Sequence, residues 1–324
     1  MSEAFQGSDP ASLASVADLS MVVWCSADQA ELVRRVVAAE RIALLGVCGA
    51  DPMQTATLAQ ALGLPGIDDP RKLGRDPEAG VVWLAADVEL PSETIRQLAR
   101  RSRIVATSLQ PSTLADLAAG EEAPIEAAPL TAVLPPLEDP EFRAQFGRAH
   151  GIVADLAGPP QLGGIGARLY DFADLTARWL APPASVTATW LAADGRSSPP
   201  PSPRGAGGTL SIQLRDESGA VAVGLISTAS AWRRRLAITG PLGLVEIGEQ
   251  TIALRDEAGR LVDCEALAAD APEAQIARQL VHPESAGAPA DRAARLAICE
   301  AAWLSCRTGA AESPSQLMET LRRR

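Results

Sequence analysis

Arg41–Asp87 reads RIALLGVCGADPMQTATLAQALGLPGIDDPRKLGRDPEAGVVWLAAD, and the fold turns on how this stretch is parsed. It opens on an apolar run, Ile42–Val47, broken only by Gly46 and followed by Gly49. Met53, Ala56, Leu58, Ala59 and Leu62 then recur at helical spacing, and Gly63 stands where a helix C-cap belongs. A loop rich in Asp, Pro and Gly leads to a second apolar run, Val81–Ala86. Strand, helix, strand of this length predicts a βαβ unit with parallel strands and a right-handed crossover. Neither run alternates with polar residues, which fits strands covered by helices on both faces.

Working outward, Ser20–Trp24 (SMVVW) reads as a strand, and Asp28–Ala39 as an amphipathic helix with Leu32, Val33, Val36 and Val37 inward. Residues 1–19 are expected to be a loosely docked arm. Downstream, Ser92–Arg101 reads as a helix with Ser92 as N-cap, Ile104–Thr107 as a strand and Ser112–Ala119 as a helix. Residues 20–120 thus alternate β and α, the pattern of a doubly wound parallel sheet, a Rossmann-like domain.

Past Gly120 the texture changes, and residues 121–324 predict a second, α+β domain. Glu121–Pro136 is rich in Pro and Ala, Glu138–His150 reads as helical, Gly158–Gly166 as a loop, and Arg168–Leu180 (RLYDFADLTARWL) as an amphipathic helix. From Val186 onward short strand-like runs separated by turn dipeptides predict a mostly antiparallel meander sheet with helices on one face. Asp194–Gly208 (DGRSSPPPSPRGAGG) has no apolar anchor, so an exposed and dispensable hairpin loop is expected. Pro272–Leu280 and Asp291–Arg307 read as two closing helices, the last expected to pack back toward the first domain.

Composition narrows the function. The chain has 324 residues, 47% hydrophobic and 21% charged, with 29 basic against 40 acidic side chains and a net charge of −11. That balance argues against a nucleic-acid partner, and the basic clusters Arg233–Arg235 and Arg322–Arg324 are read as solvated surface. The N-terminus lacks a basic segment followed by an apolar one, and no apolar run approaches membrane-spanning length, so neither export nor a membrane is expected. Five cysteines without a C-x-x-C pair fit reduced thiols and a cytoplasmic setting. With only His150 and His282 for imidazole ligands, no metal is expected.

The order of these parts resembles the glucose–fructose oxidoreductase / inositol dehydrogenase (Gfo/Idh/MocA) family, as do several stretches. LAQALGLPGIDDPRKLGRDPEAGVVWLAAD resembles its second helix through fourth strand, and VATSLQPST the strand that carries its E-K-P motif. RLYDFADLTARWLAPPASVTAT resembles its H-x-x-D helix and following strand, ITGPLGLVEIG a late hairpin, and RLAICEAAWLSCRTGAAESP its last helix and tail. The resemblance implies an NAD(P)-dependent oxidoreductase fold, and an assembly surface on the outer face of the meander sheet for a second copy or a related subunit.

Its motifs, however, are altered. The family's G-x-G-x-x-G falls on Trp24-Cys25-Ser26-Ala27-Asp28-Gln29, and no glycine occurs between Gly7 and Gly46. Side chains at Cys25, Ala27 and Asp28 would stand where backbone approaches pyrophosphate, and Asp28 adds negative charge at a helix N-terminus. The acid that would hold the ribose aligns with Gly49; Asp51, two residues on, reads either as a substitute or as a helix cap. The E-K-P lysine falls on Gln110, which cannot carry charge; the H-x-x-D histidine falls on Asp171, and Asp174 matches the aspartate. Asp171 and Asp174 share one helix face, either solvated or turned to a pocket. The resulting expectation is a non-catalytic homologue without a cofactor, serving as a binding or assembly module, with an unidentified small ligand in the interdomain cleft left open. The alternative is a working NAD(P)-dependent oxidoreductase on a sugar-like or cyclitol-like substrate, with an atypical cofactor loop and Asp171 or a neighbour as acid/base.

Overall fold

A computed structural model describes residues 19–76, 78–86, 90–107, 125–127, 140–248, 250–266, 271–282 and 291–323. The first sheet holds β1 (Ser20–Trp24), β2 (Ala43–Cys48), β3 (Val81–Leu84), β4 (Arg103–Ala106) and the short β5 (Glu126–Ala127). All neighbours are parallel, in the order β2-β1-β3-β4-β5, with α1 (Ala30–Ala39), α2 (Pro52–Leu62) and α3 (Ser92–Ala99) between strands. The strands are apolar on both sides because both sides are buried. Met21 and Val23 of β1, with Val81 and Trp83 of β3, pack into the core that contains α1. Val22 and Trp24, with Val82 and Leu84, pack into a second core under α3. Gly63 caps α2 in the left-handed conformation, with φ 68° and its N–H donating to Ala59 O. The helix read over Ser112–Ala119 lies outside the described residues.

The second sheet has eight strands: β6 (Gly151–Ala157), β7 (Pro183–Leu191), β8 (Thr209–Asp216), β9 (Val221–Ser227), β10 (Arg233–Gly240), β11 (Gly243–Ile247), β12 (Thr251–Arg255) and β13 (Leu261–Ala266). Their order is β13-β12-β11-β10-β6-β9-β8-β7. Every pair is antiparallel except β6 with β9. β6 is absent from the sequence reading, although Ile152, Ala154 and Leu156 alternate inward; it splits the expected meander at its centre. One face of the sheet is covered by α5 (Ile165–Trp179) and α7 (Arg292–Thr308), preceded by α4 (Pro140–Phe146). Gly224 lets α5 lie directly on the sheet: a Cβ there would come within 2.9 Å of the Phe172 ring.

Three expectations are corrected. The helix that packs against the first domain is α6 (Pro272–Val281), whose Ile276, Ala277 and Leu280 join the core of α1. α7 instead belongs to the second domain, against β7 and α5, and is followed by an unanticipated helix, α8 (Pro314–Arg322). Arg233–Arg235 is not a solvated cluster. Arg234 is 5% exposed and donates to Gln275 Oε1 at 3.0 Å, while Arg233 clasps Asp155 at 2.6 and 2.9 Å. Nor is Asp194–Gly208 a free loop. Its backbone carbonyls serve the first turn of α5: Ile165 N–H donates to Ala206 O at 2.9 Å and Gly166 N–H to Pro203 O at 3.2 Å. Trp303 of α7 donates its Nε1–H to Pro200 O at 2.9 Å. A helix start leaves its first N–H groups unpaired, and a Pro-rich chain has carbonyls to spare.

Candidate functional site

β1 reaches β2 on one side through α1, and the chain then crosses to β3 on the other side. The crevice beyond the carboxyl ends of β1 and β3 is the topological switch point, where open α/β sheets bind ligands. Residues 25–29 form the turn at its edge. Cys25 N–H donates to Cys48 O at 3.1 Å, and Ser26 Oγ–H to Asp28 Oδ1 at 2.5 Å. Gln29, 3% exposed, holds the rest. Its Oε1 accepts from Ser26 N–H at 3.1 Å, and its Nε2 donates to Ala85 O at 2.5 Å and Gln161 O at 3.1 Å. One carboxamide thus uses both its donors and its acceptor. It fastens the turn after β1 to the end of β3 and to the second-domain loop at Gln161.

This refines the expectation for Asp28. Its carboxylate is exposed and takes the Ser26 hydroxyl, while the Ser26 N–H goes to Gln29. Ala27 is also exposed. Cys25 is buried, and its thiol is pushed up to about 12 by that burial, with Cys48 and Asp28 adding to the effect. It is therefore a packed neutral thiol and no nucleophile.

At the end of β2, Gly49 N–H donates to Thr55 Oγ1 at 3.0 Å. A Cβ on Gly49 would lie 3.0 Å from Gln54 Cβ and 3.1 Å from Thr55 N, so α2 crowds the place of the acidic side chain. Asp51 is the N-cap of α2 and accepts from Gln54 N–H at 2.8 Å. Its carboxylate serves the helix start, the second of the two roles expected for it.

Gln110 lies outside the described residues. Asp171 and Asp174 do share one face of α5, but that face is buried, at 6% and 0% exposure, which overturns the solvated alternative. Asp174 is gripped from two sides: Arg178 Nε donates to Oδ2 and Arg295 Nη1 of α7 to Oδ1, both at 2.7 Å. Arg295 also lies over the Tyr170 ring, 5.0 Å from its centroid. With a guanidinium group on each oxygen, this carboxylate ties α5 to α7. Asp171 faces Arg168, with Oδ2 3.8 Å from Nη1. Arg168 is 1% exposed, lies 4.9 Å over the Trp232 ring and donates to Leu162 O at 3.3 Å. Leu162 and Trp232 pack into the first domain's core, so Arg168 sits behind the junction of the two domains. His150 is exposed, on the turn into β6, apart from these groups.

Sequence reasoning missed Gln29, Arg168 and Arg295. A signal existed for one of them, since Ser26…Gln29 has the S-x-x-Q spacing of a capping box. Among the described residues no cluster of His, Cys, Asp and Glu could hold a metal ion, and no helix is long and apolar enough to cross a membrane.

No protein-family model matches the sequence, and no curated protein matches it. Solved structures do. Levoglucosan dehydrogenase, in complex with NADH and levoglucosan, superposes with a TM-score of 0.66 at 12% identity over 92% of this chain and 99% of its own. An oxidoreductase from Agrobacterium radiobacter, in complex with NAD+, L-tartaric acid and magnesium, gives 0.64 at 14% identity over 93% and 100%. An NAD binding oxidoreductase from Klebsiella pneumoniae gives 0.64 at 13% identity over 92% and 99%. A parallel Rossmann-like sheet joined to a mostly antiparallel eight-stranded sheet is the layout they share with this chain, which therefore has the two-domain fold of the Gfo/Idh/MocA-type oxidoreductases.

Proposed function

We propose that this chain is a non-catalytic homologue of the NAD(P)-dependent oxidoreductases, acting as a binding or assembly module. The observation that carries the reading is Gln29. Its side chain spans the mouth of the switch-point crevice, from Ala85 O to Gln161 O, beside a turn without glycine. NAD(P) does not fit the residues present. Two of the turn's N–H groups, those of Cys25 and Ser26, are turned to Cys48 O and Gln29 Oε1, α2 crowds the side-chain space at Gly49, and Asp51 is a helix cap. Asp174, the residue matching the family's aspartate, is neutralised by two arginines.

A titration with NADH and NADPH tests this, followed by nicotinamide fluorescence and thermal shift. A ligand at 100 times its Kd would stabilise the fold by roughly 2.7 kcal/mol, an easily seen shift. Flat curves are expected; micromolar binding by protein purified free of nucleotide would overturn the reading. The second reading, an NAD(P)-dependent oxidoreductase on a sugar-like or cyclitol-like substrate, draws on the fold shared with levoglucosan dehydrogenase. NAD+ reduction with an aldose or cyclitol would establish it.

The open face of the second sheet supplies the assembly surface. Val153, Val223 and Leu225 are 57%, 39% and 43% exposed on adjacent strands, with Val153 paired to Val223 in register. Apolar side chains side by side on a solvent-facing sheet favour a covering partner, here a second copy of the chain. Sedimentation at micromolar concentration is expected to give a dimer or larger, and Val153→Glu with Val223→Glu a monomer of unchanged melting temperature. A monomeric unmodified protein would rule the surface out.

A further inference from the structure

A second concavity lies at the opposite end of the first sheet from the crevice, near where the strands begin. It has a volume of about 460 Å³ and is walled by Arg71, Arg75, Arg100 and Arg101, with Gly74 and Leu98 beneath. Two separate segments supply these arginines: the connection between α2 and β3, and the end of α3. Leu73, fully buried against Leu98 in the core under α3, holds the first segment against the second.

The charge here runs against the rest of the molecule, which carries −11 overall. Asp69 is the one carboxylate in the lining, and Arg71 already occupies it through bonds of 2.9 and 2.8 Å. No carboxylate among the described residues pairs with Arg75, Arg100 or Arg101. The ordinary explanation for basic residues at a helix end is the macrodipole, which presents about half a negative charge. That accounts for part of Arg100 and Arg101, which follow α3 directly, and leaves roughly two or more positive charges uncompensated. It does not account for Arg75, which reaches the same hollow from a different segment. Guanidinium groups converging on a small concave site match phosphate oxygens through paired N–H donors. The volume suits a small molecule.

We propose that this concavity is a binding site for a small phosphorylated anion carrying two or more negative charges, distinct from the switch-point crevice. Inorganic pyrophosphate is the probe, with citrate as the carboxylate comparison, titrated calorimetrically at low salt. Pyrophosphate is expected to bind the full chain with a Kd below about 1 mM and to raise its melting temperature. Arg75→Ala with Arg100→Ala should weaken binding about tenfold or more without lowering the melting temperature, because both side chains are exposed. Arg307→Ala, an exposed arginine on α7, should leave binding unchanged. The double variant also separates this site from any anion held in the crevice. Absence of binding at 1 mM (about the weakest affinity the site should show) would overturn the proposal. So would undiminished binding in the double variant, equal loss in Arg307→Ala, or binding of citrate but not of pyrophosphate.

Discussion

Replacing Asp174 with Ala is expected to lower the stability of the second domain by about 3–5 kcal/mol, the usual cost of breaking one side of a buried ion pair. Asp174 is fully buried, and Arg178 and Arg295 meet it with side chains only 12% and 8% exposed. Alanine would strip Arg295 of its only carboxylate among the described residues and leave it the Tyr170 ring alone. The effect is large against a typical total of about 5–15 kcal/mol. Asp174→Asn keeps the shape but loses the charge, and is expected to fall in between. Removing both charges, as Asp174→Leu with Arg295→Met, should recover much of the loss, because two desolvation costs vanish together. Urea titrations followed by tryptophan fluorescence read all three. A loss below about 1 kcal/mol for Asp174→Ala would mean that the pair is as weak as a surface one. It would return Asp174 to the pool of groups free for chemistry.

How much of this could be read in the sequence follows from how far each residue's partners lie along the chain. The first sheet was legible because its signals are local: Ile42–Val47 and Val81–Ala86 are continuous apolar runs, and Gly63 marks a helix end within one turn. The loss of the glycine turn was equally plain. What filled its place was not, since Gln29 gains its meaning from Gln161, 132 residues on. Asp171 and Asp174 could be placed on one face from spacing, but their burial depends on Arg295 and α7. β6 escaped because GIVADLA carries an acidic residue and is flanked by glycines. The structure shows Asp155 paired to Arg233 on the neighbouring strand, a cross-strand pair that no local window contains. Gly49 is the opposite case. Its identity suggested a lost carboxylate, whereas the structure gives it a positive reason, the close passage of α2.

Replacing Ser197–Arg204 by a short Gly/Ser turn is expected to destabilise the protein by about 2–5 kcal/mol, although composition alone suggests a harmless deletion. Loop-closure entropy changes little with a few residues, so a measured loss would come from contacts. Two of them go with the segment. Gly166 N–H loses Pro203 O at 3.2 Å, and Trp303 Nε1–H loses Pro200 O at 2.9 Å. Ile165 N–H, bonded to Ala206 O at 2.9 Å, depends on the same path of the chain. Buried donors left without partners cost about 1–3 kcal/mol each. Trp303 is 3% exposed and packs edge-on against Trp190, with ring centroids 6.1 Å apart, so a change at its indole N–H is felt by that pair. Trp303→Phe removes the single donor and should cost less, about 0.5–1.5 kcal/mol. Melting curves of the two variants, with tryptophan emission to report on Trp190 and Trp303, separate these contributions. A loop replacement that melts within a couple of degrees of the unmodified protein, with unshifted emission, would show that these carbonyls are dispensable to α5 and α7.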